Sequence, residues 1–232
     1  GSISFLKKDL NKIKINIKKI FEISKFDNEN SVLTKFVPFH KGRIKLKKEV
    51  VPIGKKLKHR VKNNHLSPDQ WNKFILRKDS FVIDTRKEFE FKIGTFKNSI
   101  NPKINNFRNF SKYFRKYKKN SKIGMFCTGG IRCEKASDYL KSKGYTNIFQ
   151  LKGGIINYLS KIDKKKSLWK GECFVFDNRV SVNHNLESGK YSICAGCREP
   201  ISFKDKNSSK FEEGVSCPSC YDKSTESQKS RF

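Results

Sequence analysis

Between residues 73 and 167 short apolar runs alternate with stretches of helical period, and few folds accept that order. SFVIDTR reads as a buried strand, followed by strands at IGTFKNSI, KIGMFCT and NIFQLKGG. EKASDYLKSKG, ending at Gly144, and INYLSKI read as helices. Strands separated by helices of this length imply an α/β fold, a parallel sheet wrapped by helices. Chemistry in such sheets gathers beyond the carboxyl ends of the strands. CTGGIRC, residues 127–133, falls at such an end, with a helix behind it.

A cysteine, a glycine pair and an arginine between a strand and a helix aim successive backbone N–H groups at one point. Helix N-termini and such nests favour anions, so a thiolate or persulfide at Cys127 is stabilised and its acidity raised. Gly129 and Gly130 are expected to supply positive φ and close approach. Arg132 adds a fixed charge or braces the loop through carbonyls. Reactive cysteines occupy electropositive, partly exposed surroundings, and Cys127 is expected in one; an inert, buried cysteine at a strand end is the competing reading.

The flanking regions carry less pattern. Residues 1–52 hold a helical segment with Leu6, Leu10, Ile13, Ile17 and Ile20 in register, then a strand candidate, GRIKLKKEVVPI. This is a thin core for a free-standing α+β domain, so it reads as part of a larger unit whose beginning is absent. Residues 53–72 are basic and turn-rich and read as a linker, at whose end Ser67 before Pro68 and Asp69 marks a helix start. Residues 168–232 contain short apolar pieces and a polar tail, and no internal repeat occurs in the chain.

Seven cysteines, an odd number, together with C-x-x-C pairs and no secretory signal, point to thiols and metal rather than a disulfide framework. CAGC and CPSC place Cys194, Cys197, Cys217 and Cys220 as two pairs separated by 19 residues. That spacing suits one tetrahedral Zn²⁺ with a closed thiolate shell, and hence a structural role. A redox pair or empty thiols compete. Cys173 reads as packing, and His184 as a hydrogen-bonded structural residue.

The formal charge of +30 attracts polyanions, although the lysine and asparagine excess is also what an AT-rich genome imposes on solvated faces. Two basic clusters stand out. One contains Lys45, Lys47 and Lys48; the other, RNFSKYFRKYKKNSK, contains Arg115 and Lys116 and interleaves Phe110, Tyr113, Phe114 and Tyr117. Those aromatics suit base stacking, yet their helical spacing suits core packing better. No apolar run reaches the length that crosses a bilayer, which excludes a helical membrane span and makes the cytoplasm the expected location.

The motifs resemble a known family. VIDTRKEFEFKIGTFKNSINP, MFCTGGIRCEKASDYL, LKGGIINYL, SLWKGECFVFDNRVSVNH, CAGCREPIS and FEEGVSCPSCYDK are similar to the rhodanese-like tRNA uridine hydroxylases over nearly the whole chain. GSIS resembles the end of a glycine-rich stretch inside that family's N-terminal domain. The resemblance implies a rhodanese-like catalytic domain over 73–167 and a zinc-binding module over 168–232. It also implies oxygen-dependent conversion of the wobble uridine, uridine 34, to 5-hydroxyuridine in the tRNA anticodon loop. By the same likeness Cys127 is the nucleophile, Cys133 the second thiol and Arg132 their companion. Thr128, Gly129, Gly130 and Ile131 form the active loop, and Asp84 and Arg86 support it. Cysteine-dependent phosphatases of this fold are similar but carry five residues between cysteine and arginine; here there are four, which suits a terminal sulfur. No flavin or nicotinamide motif is seen. A persulfide or thiosulfate sulfurtransferase with a small-molecule or protein acceptor is the alternative.

Overall fold

The computed structural model describes residues 3–26, 29, 33, 36–39, 49, 51–52, 64–104 and 109–230. The chain divides into two compact units, 1–46 and 47–232. Within the first, α1 (Leu10–Ile20) carries the expected register, and it buries none of its residues. Most of GRIKLKKEVVPI, with Lys45, Lys47 and Lys48, lies outside the described residues.

The second unit begins with β1 (Asn64–Leu66) and α2 (Pro68–Ile75). The Ser67 hydroxyl accepts from Gln70 N at 3.3 Å while Gln70 Oε1 accepts from Ser67 N at 2.9 Å, and Pro68 occupies the first turn, so the helix starts where the sequence places it. Next come β2 (Ser80–Asp84), α3 (Glu88–Ile93), β3 (Gly94–Phe96), β4 (Ser99–Ile100) and α4 (Phe110–Tyr113). Then follow β5 (Lys122–Phe126), α5 (Ile131–Ser142), β6 (Ile148–Leu151) and α6 (Gly154–Lys161). The sheet is parallel throughout, in the order β1-β6-β5-β2-β4.

Two features depart from the sequence reading, and a third element lies where that reading placed none. Residues 64–66, assigned to the linker, form the edge strand β1 on β6. IGTFKNSI is not one strand: Asn98, at φ 61°, turns the chain, so that β4 joins the sheet while β3 pairs with β7 (Trp169–Gly171) outside it. EFEFKI, which alternates like a strand, is the short helix α3, because the Glu90 carboxylate returns to Lys87 N at 3.0 Å.

Alternation along the strands sorts side chains into two cores. Val82 and Phe126 face Trp71, Phe74, Tyr158 and Leu159; Ile83, Ile123, Met125 and Cys127 face α5 and the fully buried Phe110 and Phe114. These last two aromatics are core, as their spacing indicates. Gly124 lets α2 sit flat on the sheet, since a Cβ there would come within 2.4 Å of the Phe74 ring. Gly124→Ala should therefore cost about 1–3 kcal/mol through overpacking, read as a lower urea midpoint at unchanged slope.

Beyond α6 the chain returns to this body through β7, β8 (Cys173–Phe174) and β9 (Ser181–Val182), an antiparallel pair. It ends in the hairpin β10 (Ser192–Ile193) and β11 (Pro200–Ile201), with short helical turns. Among the described residues no helix is long and apolar enough to cross a membrane.

Candidate active site and metal centre

Cys127 follows β5 directly, and α5 begins four residues later. Gly130 takes φ +91° to turn the chain into that helix, and its N–H points at Cys127 Sγ, 3.1 Å away. Gly129 does not use its freedom: it lies outside the left-handed region, and a Cβ there would meet nothing. The expectation of a glycine pair thus holds for one member. The glycine that loop packing requires lies instead at 154. It sits at φ +68°, where a Cβ would stand 2.5 and 2.6 Å from the carbonyl oxygens of Thr128 and Cys127. Because it is bare, α6 presses its first turn on the loop, with Ile155 N donating to Cys127 O at 3.0 Å and Ile156 N to Thr128 O at 3.1 Å.

The expected partial exposure of Cys127 is not met, for its side chain lies inward on the α5 face of the sheet at 2 % exposure. Its surroundings are nevertheless polar. A hydrogen bond from the Cys133 side chain does most to lower its pKa, to about 6; burial opposes it, and the Arg132 charge and the N–H groups of Cys133 and Arg132 add to the lowering. Cys133, buried beside a thiolate, is pushed well above the ordinary value and keeps its proton. The Thr85 hydroxyl, which donates to Phe126 O at 3.0 Å, lies 3.5 Å from Cys133 Sγ. The loop therefore holds a thiolate at Cys127 and a thiol at Cys133.

Arg132 braces the loop through a carboxylate, not through carbonyls. It forms a two-pronged pair with Glu90, Nη1 to Oε2 at 2.8 Å and Nη2 to Oε1 at 2.9 Å, and reaches Thr128 Oγ1 at 3.3 Å. Burial raises the pKa of Glu90, but the Arg132 fork and charge outweigh it, and the carboxylate lies below its usual range. Sequence reasoning missed Glu90, whose partner is 42 residues away. It missed Gly154 as well, although the second glycine pair of LKGG was a visible signal.

Asp84 and Arg86 form a fully buried ion pair at the end of β2, with Arg86 Nη2 2.7 Å from Asp84 Oδ2 and 2.6 Å from Gly94 O. The guanidinium carbon lies 5.2 Å from the Trp169 ring and 5.9 Å from that of Phe126, so this pair pins β3 and β7 behind the loop. Thr128 is half-buried, Ile131 is exposed, and Glu134 accepts from His65 Nε2 at 2.6 Å. Cys173 is buried, and that burial lifts its thiol to about 12. His184 is held below its usual value by burial and by Lys164. Arg115 and Lys116 precede β5 and so lie at the opposite end of the sheet from Cys127, where Lys116 Nζ sits 4.1 Å from the Tyr113 ring.

The four remaining cysteines converge. Their sulfurs lie within 4.8 Å of one another, with Cys194–Cys220 at 3.8 Å, Cys197–Cys217 at 3.7 Å and Cys217–Cys220 at 3.8 Å. A tetrahedron with bonds of about 2.3 Å has edges of about 3.8 Å. The donor set therefore fits a four-coordinate metal ion, and Gly196, where a Cβ would stand 2.3 Å from Val215 O, keeps the two knuckles close.

Strand order, loop and buried pair together define a rhodanese-like domain, and residues 67–161 match the rhodanese-like domain family. The tRNA uridine(34) hydroxylase of Pelagibacter ubique (strain HTCC1062) is 58% identical over 233 residues, covering 100% of this chain and 77% of that protein. The chain belongs to the tRNA uridine(34) hydroxylase family. Among solved structures, a rhodanese-related protein from Thermoplasma volcanium is 25% identical, covering 41% of this chain and 90% of its own, at a TM-score of 0.36. A single-domain sulfurtransferase from Saccharomyces cerevisiae is 18% identical, covering 44% and 92%, at 0.37.

Because the Cys133 side chain contributes most to the acidity of Cys127, Cys133→Ala should raise the midpoint of Cys127 alkylation from about pH 6 toward or past the ordinary thiol value. The sign follows from the thiolate being the nucleophile: reactivity is full above the midpoint and lost as pH falls through it. Iodoacetamide labelling against pH, read by mass spectrometry on the Cys127 peptide, checks this.

Proposed function

We propose that this chain hydroxylates uridine 34 of tRNA at C5 in the cytoplasm, with molecular oxygen as co-substrate and Cys127 as the reacting sulfur. The observation that carries the reading is the buried thiolate paired with a protonated thiol, in a chain 58% identical to a tRNA uridine(34) hydroxylase. Cys127 acts covalently, on the pyrimidine ring or through an oxidised sulfur species, and Cys133 resolves the intermediate. Inserting one atom of O₂ into a C–H bond and releasing the other as water consumes two electrons and two protons. Oxidation of the Cys127 thiolate and the Cys133 thiol to a disulfide supplies the two electrons and one proton, solvent supplies the second proton, and two equivalents of an external thiol then reset the pair. Arg132, tied to Glu90, keeps the loop in shape and favours the thiolate.

A wobble base lies in a single-stranded loop, so it swings into a pocket at lower cost than a base in a duplex. Lys45, Lys47 and Lys48, together with Arg115 and Lys116, serve as backbone contacts to the rest of the tRNA, consistent with the charge of +30. Nucleoside mass spectrometry of tRNA from cells with and without the protein tests the function: one added oxygen on uridine is expected, and added sulfur would establish a sulfurtransferase instead. Cys127→Ser should abolish the product, and Cys133→Ser should abolish turnover; full activity of Cys127→Ser ends the covalent reading.

The metal at Cys194, Cys197, Cys217 and Cys220 is Zn²⁺ in a structural role. Four thiolates close the coordination shell, and the module's core consists of Cys194, Cys217, Cys220 and Ile201, against which Cys197 and Phe211 pack partly buried. Metal analysis should find about one zinc per chain, and Cys217→Ser should lower it. Stripping with a strong chelator should expose the amides of 192–223 to hydrogen exchange while those of β5 and β6 stay protected.

A further inference from the structure

A row of aromatic rings leads from the brace of the active loop to the surface. Phe89 immediately precedes Glu90, which grips Arg132. Its ring meets Phe174 edge to face at 5.1 Å, and Phe174 meets Phe176 in the same way at 5.0 Å. Phe174 is buried, whereas Phe176 is 72% exposed. The turn that carries Phe176 is tightly fixed. Val175 N donates to Val180 O at 2.9 Å and Val180 N to Asp177 O at 3.0 Å, while Arg179 forks onto Asp177 with Nε–Oδ1 at 3.0 Å and Nη2–Oδ2 at 2.6 Å. A rigid turn thus holds an aromatic ring out in water, where it contributes little to folding.

The local charge favours a polyanion. Lys87 Nζ stands 5.8 Å from the Phe89 ring centre, with no carboxylate paired to it among the described residues. The neighbouring acids Glu88 and Asp177 are each held by a cation, Lys92 and Arg179, while the Glu172 carboxylate is taken up by Ser181 Oγ at 2.6 Å and Lys190 N at 2.9 Å. One exposed ring is far smaller than the roughly 800 Å² that each partner gives to a stable protein interface, but it matches one nucleobase. Unpaired bases are recognised by stacking on aromatic faces beside cations that meet the backbone. A uridine that swings into the site also leaves a stacking neighbour behind.

We propose that Phe176 is a stacking platform for an unpaired anticodon-loop base adjacent to the reacting uridine, an assignment that rests on the tRNA function proposed above. The test is a double-mutant cycle with the full chain. Wild type, Phe176→Ala and Phe176→Trp are titrated with an anticodon stem-loop from a tRNA that the wild type hydroxylates, and with the same RNA made abasic on either side of the target uridine. Phe176→Ala should bind the intact RNA about 5- to 100-fold more weakly, with an unchanged melting temperature, and Phe176→Trp should restore binding with quenching of the new indole. One abasic RNA should weaken the wild type by a similar factor and cause no further loss with Phe176→Ala. Unchanged affinity of Phe176→Ala, or losses that multiply, overturns the platform while hydroxylation by the wild type keeps the function. A wild type that neither binds nor hydroxylates tRNA overturns both.

Discussion

The stabilisation of a thiolate at Cys127 by the groups of its own loop is the interaction on which the site depends. A sulfur 2 % exposed in a largely apolar core is expected to hold its proton, as Cys173 does at about 12. Cys127 departs from that rule because a thiol, a guanidinium and backbone amides surround the sulfur within one turn of chain. Burial by itself opposes the thiolate, and the loop overcomes it because in a medium of low dielectric each of those contacts is stronger than in water. The proton that leaves Cys127 has its counterpart in the one that Cys133 retains, and the pair carries one negative charge rather than two.

That arrangement survives only if the loop keeps its shape, and the loop is held from two sides. From below, α6 donates two amides to the loop's carbonyls, a contact that the missing Cβ of Gly154 permits. From the side, Glu90 fixes Arg132 and returns to Lys87 N, so α3 and the loop order each other. Removing one member of a buried charge pair costs about 3–5 kcal/mol, because the other is left uncompensated. Glu90 is therefore as much part of the loop as Arg132, although it belongs to a helix of six residues.

The sequence makes legible what is periodic or local. β2, β5, β6, α5 and α6 follow from apolar runs and helical periods, α2 from its Ser-Pro start, and the four-cysteine cluster from cysteine spacing. What stayed hidden is set by contacts distant in sequence. NHL becomes β1 only because β6 offers an unpaired edge. EFEFKI has the alternation of a strand and the structure of a helix, which its own capping and Arg132 decide. The burial of Cys127 was equally unreadable, since CTGGIRC displays its donors but not the direction in which the strand's alternation points the sulfur.

The segment after α6 bears on the catalytic body through its most sensitive residues. Trp169 covers the Arg86 guanidinium, Glu172 N donates to Ile93 O at 2.8 Å, and Phe174 lies against Phe89. A second Asp-x-Arg fork at Asp177 and Arg179 repeats the geometry of Asp84 and Arg86, down to a guanidinium N–H on a distant carbonyl: Gly94 O at 2.6 Å in one case and Leu186 O at 3.1 Å in the other. Both forks fix the turn that follows a strand, the Asp carboxylate also accepting from the backbone N–H of its Arg at 3.0 Å in each case. The helix α3, whose Glu90 grips Arg132, is thus tied on one side to the loop after β5 and on the other to β8.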